Sequence, residues 1–218
     1  MTDNLLKDLF PRGVQCASSG CLPAAVGLLG PEHDLTQRMS SKRLGTFLHG
    51  RYCAREALGQ LGMGKVAIGQ GSDGEPLWPN GIVGSISHSG AYAAAAVAED
   101  HRFSGIGLDL EDCLPLESNM VNLLCRASEV ADLTSDQKIA ERGKLLFSIK
   151  ESIYKCIWPS VQCFVDYCEV AVKLDASGNG FSVLSHTEKV PEEITRRLSG
   201  SYRIFDDLLV SSAWILAR

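Results

Sequence analysis

The chain has 218 residues, 45% hydrophobic and 22% charged, with a formal net charge of −5 and a pI near 5.5. That length fits one large domain or two small ones, and it buries a core without disulfide or metal staples. The balance excludes a disordered, collagen-like or coiled-coil chain and a broad nucleic-acid binder, so an anionic ligand needs a local cluster of Arg and Lys.

The N-terminus, Met-Thr-Asp-Asn-Leu-Leu-Lys-Asp, has no basic stretch followed by an apolar one, and the uncharged run from Val14 to Pro31 is broken by Gly and Pro. The reading is a cytoplasmic protein with no leader and no membrane span. The eight cysteines include no CxxC pair, so scattered reduced thiols are expected.

Leu35 to Leu61 reads as one helix, with Leu44, Phe47, Leu48, Ala54, Leu58 and Leu61 at steps of three and four. Asp34 is the expected N-cap and Gly62 the stop; Arg43, Arg51 and Arg55 fall between the apolar positions. Gly69 to Gly81 is a Gly/Pro loop, and Ile82 to Ala98 reads as two short strands around Ser87-His88-Ser89-Gly90. The Ala93–Ala96 run alone favours helix, but its shortness and Gly90 favour a buried strand. Gly105 to Glu111 alternates, with Ile106, Leu108 and Leu110 on one face and Gly107, Asp109 and Glu111 on the other. Glu117 to Ala131 and Ser135 to Trp158 are expected helices, the second carrying a Leu145, Ile149, Ile153, Ile157 stripe and ended by Pro159. Asp166 to Leu174, Gly180 to Leu184 and Leu208 to Leu216 read as strands. Helix followed by strands occurs twice, which suggests an α+β protein of two similar halves, 1–107 and 108–218.

Two glycine motifs mislead. Gly59 to Lys65 is close to a phosphate-binding loop, but it follows a helix and Val66 stands where a Ser or Thr is needed. Gly69-x-Gly71-x2-Gly74 leads into Glu75-Pro76-Leu77-Trp78-Pro79, which cannot open a helix. Ser85, Ser87 and Ser89 beside His88 lack a nucleophile elbow, and neighbours on a strand face opposite ways.

Three features together carry chemistry. Asp109 and Glu111 at i, i+2 share a strand face suited to one hard cation, although alone such a pair is usually a solvated polar face. Lys150, Glu151 and Lys155 lie on one helix, where Glu151 and Lys155 alone read as a surface ion pair. Arg43, Arg51 and Arg55 make a third, basic feature. Carboxylates for magnesium, lysines for phosphate charge and arginines for bidentate contacts describe a pyrophosphate site. The chain has no visible activated nucleophile, and phosphoryl-type transfer needs none when the partner brings the hydroxyl.

Gly105-Ile-Gly-Leu-Asp-Leu-Glu111 followed by Phe147-Ser-Ile-Lys-Glu-Ser-Ile-Tyr-Lys155 resembles the paired signature of 4′-phosphopantetheinyl transferases. The likeness is to the Sfp-type branch and its enterobactin-synthase component D group. Pro31-Glu32, the Arg43 to Leu58 helix motif, Gly74-Glu-Pro-Leu-Trp-Pro79 and Gly84-Ser-Ile-Ser-His88 agree in order.

The resemblance implies an enzyme that moves the 4′-phosphopantetheine arm of coenzyme A to a serine of an apo acyl or peptidyl carrier protein, releasing 3′,5′-ADP. It implies two α+β halves related by pseudo-twofold symmetry, with the active site at their interface; a monomer then suffices. By resemblance, Asp109, Glu111 and Glu151 bind magnesium, Glu151 is general base, and Lys150 and Lys155 neutralise the pyrophosphate. Arg43, Arg51, Ser87 and His88 hold the adenosine and its 3′-phosphate. The loop bears Gln70, Asp73 and Glu75 where family members often carry Lys, so only backbone and Gly74/Pro76 packing is expected there. Arg43, Arg51, Lys150 and Lys155 are thus required to gather into one positive pocket. The rival readings are a magnesium-dependent phosphatase or nucleotidyl hydrolase, and a non-catalytic carrier-protein binder. Siderophore, other nonribosomal-peptide, polyketide and fatty-acid carriers all remain open.

Overall fold

Alternating strand and helix patterns resolve, in a computed structural model, into an α+β architecture in which every residue but 1–5, 7, 132, 134 and 177 is described. Strand β1 (Gln15–Ser19) precedes a short helix α1 (Glu32–Thr36) and a long helix α2 (Ser41–Gln60). The single helix expected from Leu35 is therefore two. The Ser40 hydroxyl accepts from the Arg43 N–H at 3.3 Å, so Ser40, not Asp34, caps the long helix. Gly62 takes φ +76° just past its end, as a helix stop does.

The Gly/Pro loop folds as a small hairpin of β2 (Gly69–Gln70) and β3 (Pro76–Leu77). Strands β4 (Ile82–Ser89) and β5 (Tyr92–Glu99) then form an antiparallel pair, with β5 between β1 and β4. The alanine run lies in β5, and Ala93 through Ala98 are all fully buried. Ala93, Ala95 and Val97 pack with Cys53, Ala54, Ala57 and Leu58 of α2; Ala94, Ala96 and Ala98 pack with Phe103, Ile106, Leu108 and Leu110. Burial on both faces overrides the helix preference of alanine.

Strand β6 (Phe103–Asp112) begins a second sheet. Helices α3 (Ser118–Leu124), α4 (Ala127–Val130) and α5 (Asp136–Val161) follow, then β7 (Val170–Leu174), β8 (Gly180–Ser185), α6 (Glu192–Arg197), β9 (Leu198–Phe205) and β10 (Leu208–Leu216). The helix expected over Glu117 to Ala131 is split at Cys125–Arg126. A 3-10 turn, Tyr167–Glu169, occupies the start of the strand expected from Asp166. The sheet order is β6-β10-β9-β8-β7. Pro159 does not end α5. It removes one N–H in the last turns, and the helix closes at Gln162, which takes φ +46° and donates to the Trp158 carbonyl at 3.0 Å. Ile149, Ile153 and Ile157 enter the core of this sheet with Val172, Phe181 and Ala213.

The two sheets meet edge to edge through side chains. The Ser85 hydroxyl accepts from the Leu108 N–H at 3.0 Å, and the Ser87 hydroxyl accepts from the Leu110 N–H at 3.1 Å. Steps of two in the same direction mean that β4 and β6 run parallel at this join. Helix α5 lies across β6 at very short range. A Cβ on Gly105 would meet the Cys156 carbonyl oxygen at 2.1 Å, and one on Gly107 would meet the Ser152 carbonyl oxygen at 1.8 Å. The two glycines therefore let helix backbone rest on strand backbone, which brings the α5 side chains over Asp109 and Glu111.

Candidate active site

The join carries the central ion pair. Lys155 Nζ donates to Asp109 Oδ1 at 2.7 Å and to the Leu108 carbonyl at 3.2 Å, while Ser87 Oγ donates to the same Asp109 oxygen at 3.0 Å. Asp109 is 3% exposed, and its other oxygen, Oδ2, is buried without a hydrogen-bond partner. A buried carboxylate oxygen left unpaired is costly, so it marks a place where a cation belongs.

Two residues along the strand, Glu111 accepts from Lys144 Nζ at 2.7 Å, and the same nitrogen reaches Asp112 at 3.0 Å. Burial, and then the neighbouring Asp109 charge, push the Glu111 carboxyl up against the opposing pull of Lys144. Glu151 points toward the 3-10 turn and accepts from the Tyr167 hydroxyl. Burial first, then that hydrogen bond, raise the Tyr167 phenol above its ordinary value.

Beside this line lies a cleft of about 280 Å³ lined by Gly74, Pro76, Trp78, Glu151, Tyr154, Lys155 and Trp158, among others. Gly74 and Pro76 line this cleft together with Glu151, Tyr154, Lys155 and Trp158 of α5. His88 is exposed at the end of β4. Its imidazole is held below its ordinary pKa by burial of the ring, then by the charges of Arg43 and Lys155. Arg43, also exposed, begins α2, so Arg43, His88 and Lys155 share one electrostatic neighbourhood.

Several expectations need correction. Lys150 does not face the cleft. It is 3% exposed and donates to Glu129 at 2.7 Å and to the Leu124 and Tyr167 carbonyls, both at 2.9 Å. Arg51 is likewise turned inward, with Nε on the Ile68 carbonyl and Nη2 on the Gly69 carbonyl, both at 2.9 Å, and its guanidinium 4.3 Å from the Phe47 ring centre. Burial lowers Arg51 to about 10, with Arg55 and Arg43 adding to the effect and Glu32 opposing it. Arg55 is locked at 2.9 Å to the fully buried Glu32. The Ser87 hydroxyl is engaged in the strand join, where it accepts from the Leu110 N–H and donates to Asp109. The four expected cations therefore do not gather: Lys155 lines the cleft and holds Asp109, Arg43 is exposed at the start of α2, and Arg51 and Lys150 brace the fold.

The three carboxylates do not converge either, since among the described residues no group of three His, Cys, Asp or Glu is arranged to hold a metal. Residues that the sequence argument missed are Tyr154, Trp78 and Trp158 in the cleft, and Lys144, Glu129 and Tyr167 around it. The i, i+3, i+4, i+7 spacing of Phe147, Lys150, Glu151 and Tyr154 marks one face of α5 and was the available signal for an element docking there.

The family model described as 4′-phosphopantetheinyl transferase N-terminal domain matches residues 31–98, and that described as 4′-phosphopantetheinyl transferase superfamily matches residues 105–205. The 4′-phosphopantetheinyl transferase Npt of Nocardia iowensis is 34% identical over 182 residues, covering 81% of this chain and 82% of its own. The 4′-phosphopantetheinyl transferase PptT of Mycobacterium tuberculosis is 30% identical, covering 73% and 71%. Enterobactin synthase component D of Salmonella typhimurium is 33% identical over 57% of this chain and 53% of its own. With both signature stretches matched and a relative aligned over most of both chains, the chain belongs to the 4′-phosphopantetheinyl transferase superfamily.

Proposed function

We propose that the protein transfers the 4′-phosphopantetheine arm of coenzyme A to a serine hydroxyl of an apo carrier protein. The serine oxygen forms a bond to the β-phosphorus, the bond from that phosphorus to the departing 3′,5′-ADP oxygen breaks, and the serine proton goes to a base. The observation that carries the reading is the buried join itself: Lys155 on Asp109, with the second Asp109 oxygen unpaired, at the edge of an apolar-walled cleft.

The donor set fits magnesium, which binds through one or two carboxylates, water and phosphate oxygens. Asp109 and Glu111 would hold it, and when bound it offsets charge on the phosphates. Lys155 adds point charge at the pyrophosphate, within reach of the same strand. Glu151 serves as the general base for the incoming hydroxyl. Arg43 and His88 meet the 3′-phosphate, and Gly74, Pro76, Trp78 and Trp158 pack the adenosine. The halves 1–107 and 108–218 close on this site, with β6 running through their boundary.

Cytoplasmic residence is part of the proposal, supported by eight cysteines that are all free. Among the described residues no helix is long and apolar enough to cross a membrane. Carriers of siderophore and nonribosomal-peptide assembly are the first to try, given the enterobactin synthase relative. The test is chromatography of the nucleotide product. Release of 3′,5′-ADP from coenzyme A only when an apo carrier is present supports transfer; release without a carrier assigns the site to hydrolysis.

A further inference from the structure

We propose that Tyr167 is a positioning residue that holds Glu151 in its working orientation, and that the buried Lys150–Glu129 pair sets the seat of Tyr167. This rests on the transferase reading of the site. Helix α5 presents Phe147, Lys150, Glu151 and Tyr154 on one face, and the 3-10 turn Tyr167–Glu169 docks against it. The Tyr167 ring packs against Phe147 at a tilt of 43°, with centroids 5.8 Å apart, which fixes the ring, and its hydroxyl donates to Glu151 Oε1. The Tyr167 carbonyl accepts from Lys150 Nζ at 2.9 Å, which fixes its backbone.

Lys150 is itself immobilised. Its Nζ reaches Glu129 Oε2 at 2.7 Å, both side chains being 2% exposed. Glu129 accepts in turn from the Arg126 N–H at 2.6 Å and the Val172 N–H at 2.7 Å, tying α4 and β7 into the same network. The 3-10 turn is pinned from its other side by the Cys168 N–H on Asp166 at 2.8 Å and by Lys189 on Glu169 at 2.8 Å. Glu151 lines the cleft beside Lys155, so a rotation that swung its carboxylate away would remove it from the reacting atoms. A charged carboxylate on a long, flexible side chain gains its direction from such a donor. Lys150 of the signature thereby acts behind the site, through Tyr167, instead of on the pyrophosphate.

The test compares wild type, Tyr167→Phe, Glu151→Gln and the double variant with coenzyme A, magnesium and an apo carrier. Tyr167→Phe keeps the ring contact with Phe147 and removes only the hydroxyl. It is expected to lower kcat about tenfold, with KM for coenzyme A within about twofold and the thermal midpoint within about 3 °C of wild type. In the Glu151→Gln background the same change is expected to have no further effect on kcat, because the two residues act as one unit. Wild-type kcat in Tyr167→Phe overturns the positioning role and leaves the transferase reading standing. A fall in kcat matched by a lost midpoint, or full additivity in the double variant, also overturns it. A wild type that modifies no carrier overturns the transferase reading and this role with it.

Discussion

At the scale of single residues, burial separates the motif positions that reach the cleft from those that brace the fold. Lys150 and Lys155 are five apart on one helix, yet one donates to a buried glutamate and two carbonyls and the other to Asp109 Oδ1 at the strand join. Lys150→Met removes the cation from the buried Glu129 carboxylate, and urea unfolding is expected to report a loss of about 3–5 kcal/mol. A change under about 1 kcal/mol would mean that the pair contributes little. Glu151→Gln is expected to lower kcat at least about a hundredfold while the affinity for coenzyme A, measured by calorimetry, moves little. Full activity in that variant would remove Glu151 from the base role.

His88 gives a pH prediction. Partial burial, then the Arg43 and Lys155 charges, hold its imidazole below the ordinary value, and an anion beside it would favour the charged form. Coenzyme A binding is then expected to take up protons and to tighten as the pH falls from about 8 to about 6. His88→Gln abolishes that slope if the assignment holds; an unchanged slope contradicts it.

At the scale of elements, the strand Gly105 to Glu111 was legible because period-two alternation and the paired carboxylates stand in the sequence itself. Why two glycines share the carboxylate face was not legible, since the reason lies in α5, more than forty residues later in the chain. Gly107→Ala would bring a Cβ to 1.8 Å from the Ser152 carbonyl oxygen, so α5 has to lift. The expected cost is about 1–3 kcal/mol, together with weakened coenzyme A binding as Lys155 leaves Asp109. Gly59 of α2 meets nothing within 4 Å, and Gly59→Ala is the control, expected to stabilise by about 0.4–1 kcal/mol. Equal stability in both variants, by thermal denaturation, would contradict the close-packed account of β6.

Other elements escaped the sequence for identifiable reasons. The break between α1 and α2 has no proline or glycine to announce it, and only the Ser40 cap reveals it. Strand β9, Leu-Ser-Gly-Ser-Tyr-Arg-Ile-Phe, mixes small polar residues into its register, so its alternation is weak. Arg51 and Lys150 carry the right chemistry for a phosphate site, but side-chain direction depends on what packs above them, which a linear pattern does not contain.

At the scale of the whole molecule, a net charge of −5 has to coexist with a strongly anionic co-substrate. The structure answers with fewer cations than the sequence suggested. Lys155 holds Asp109 at the join of two sheets, Asp109 Oδ2 is buried there without a hydrogen-bond partner, and Arg43 stands exposed at the start of α2. Because β4 and β6 are held together by Ser85 and Ser87 hydroxyls and not by a backbone ladder, the site and the join are one structure. The most direct measurement is the mass of an apo carrier protein after incubation with this protein, coenzyme A and magnesium. The carrier is expected to gain one phosphopantetheine arm on a serine, and none when Asp109→Asn replaces the wild type. An unmodified carrier across a panel of siderophore, nonribosomal-peptide, polyketide and fatty-acid types, with wild-type protein and magnesium present, would contradict it.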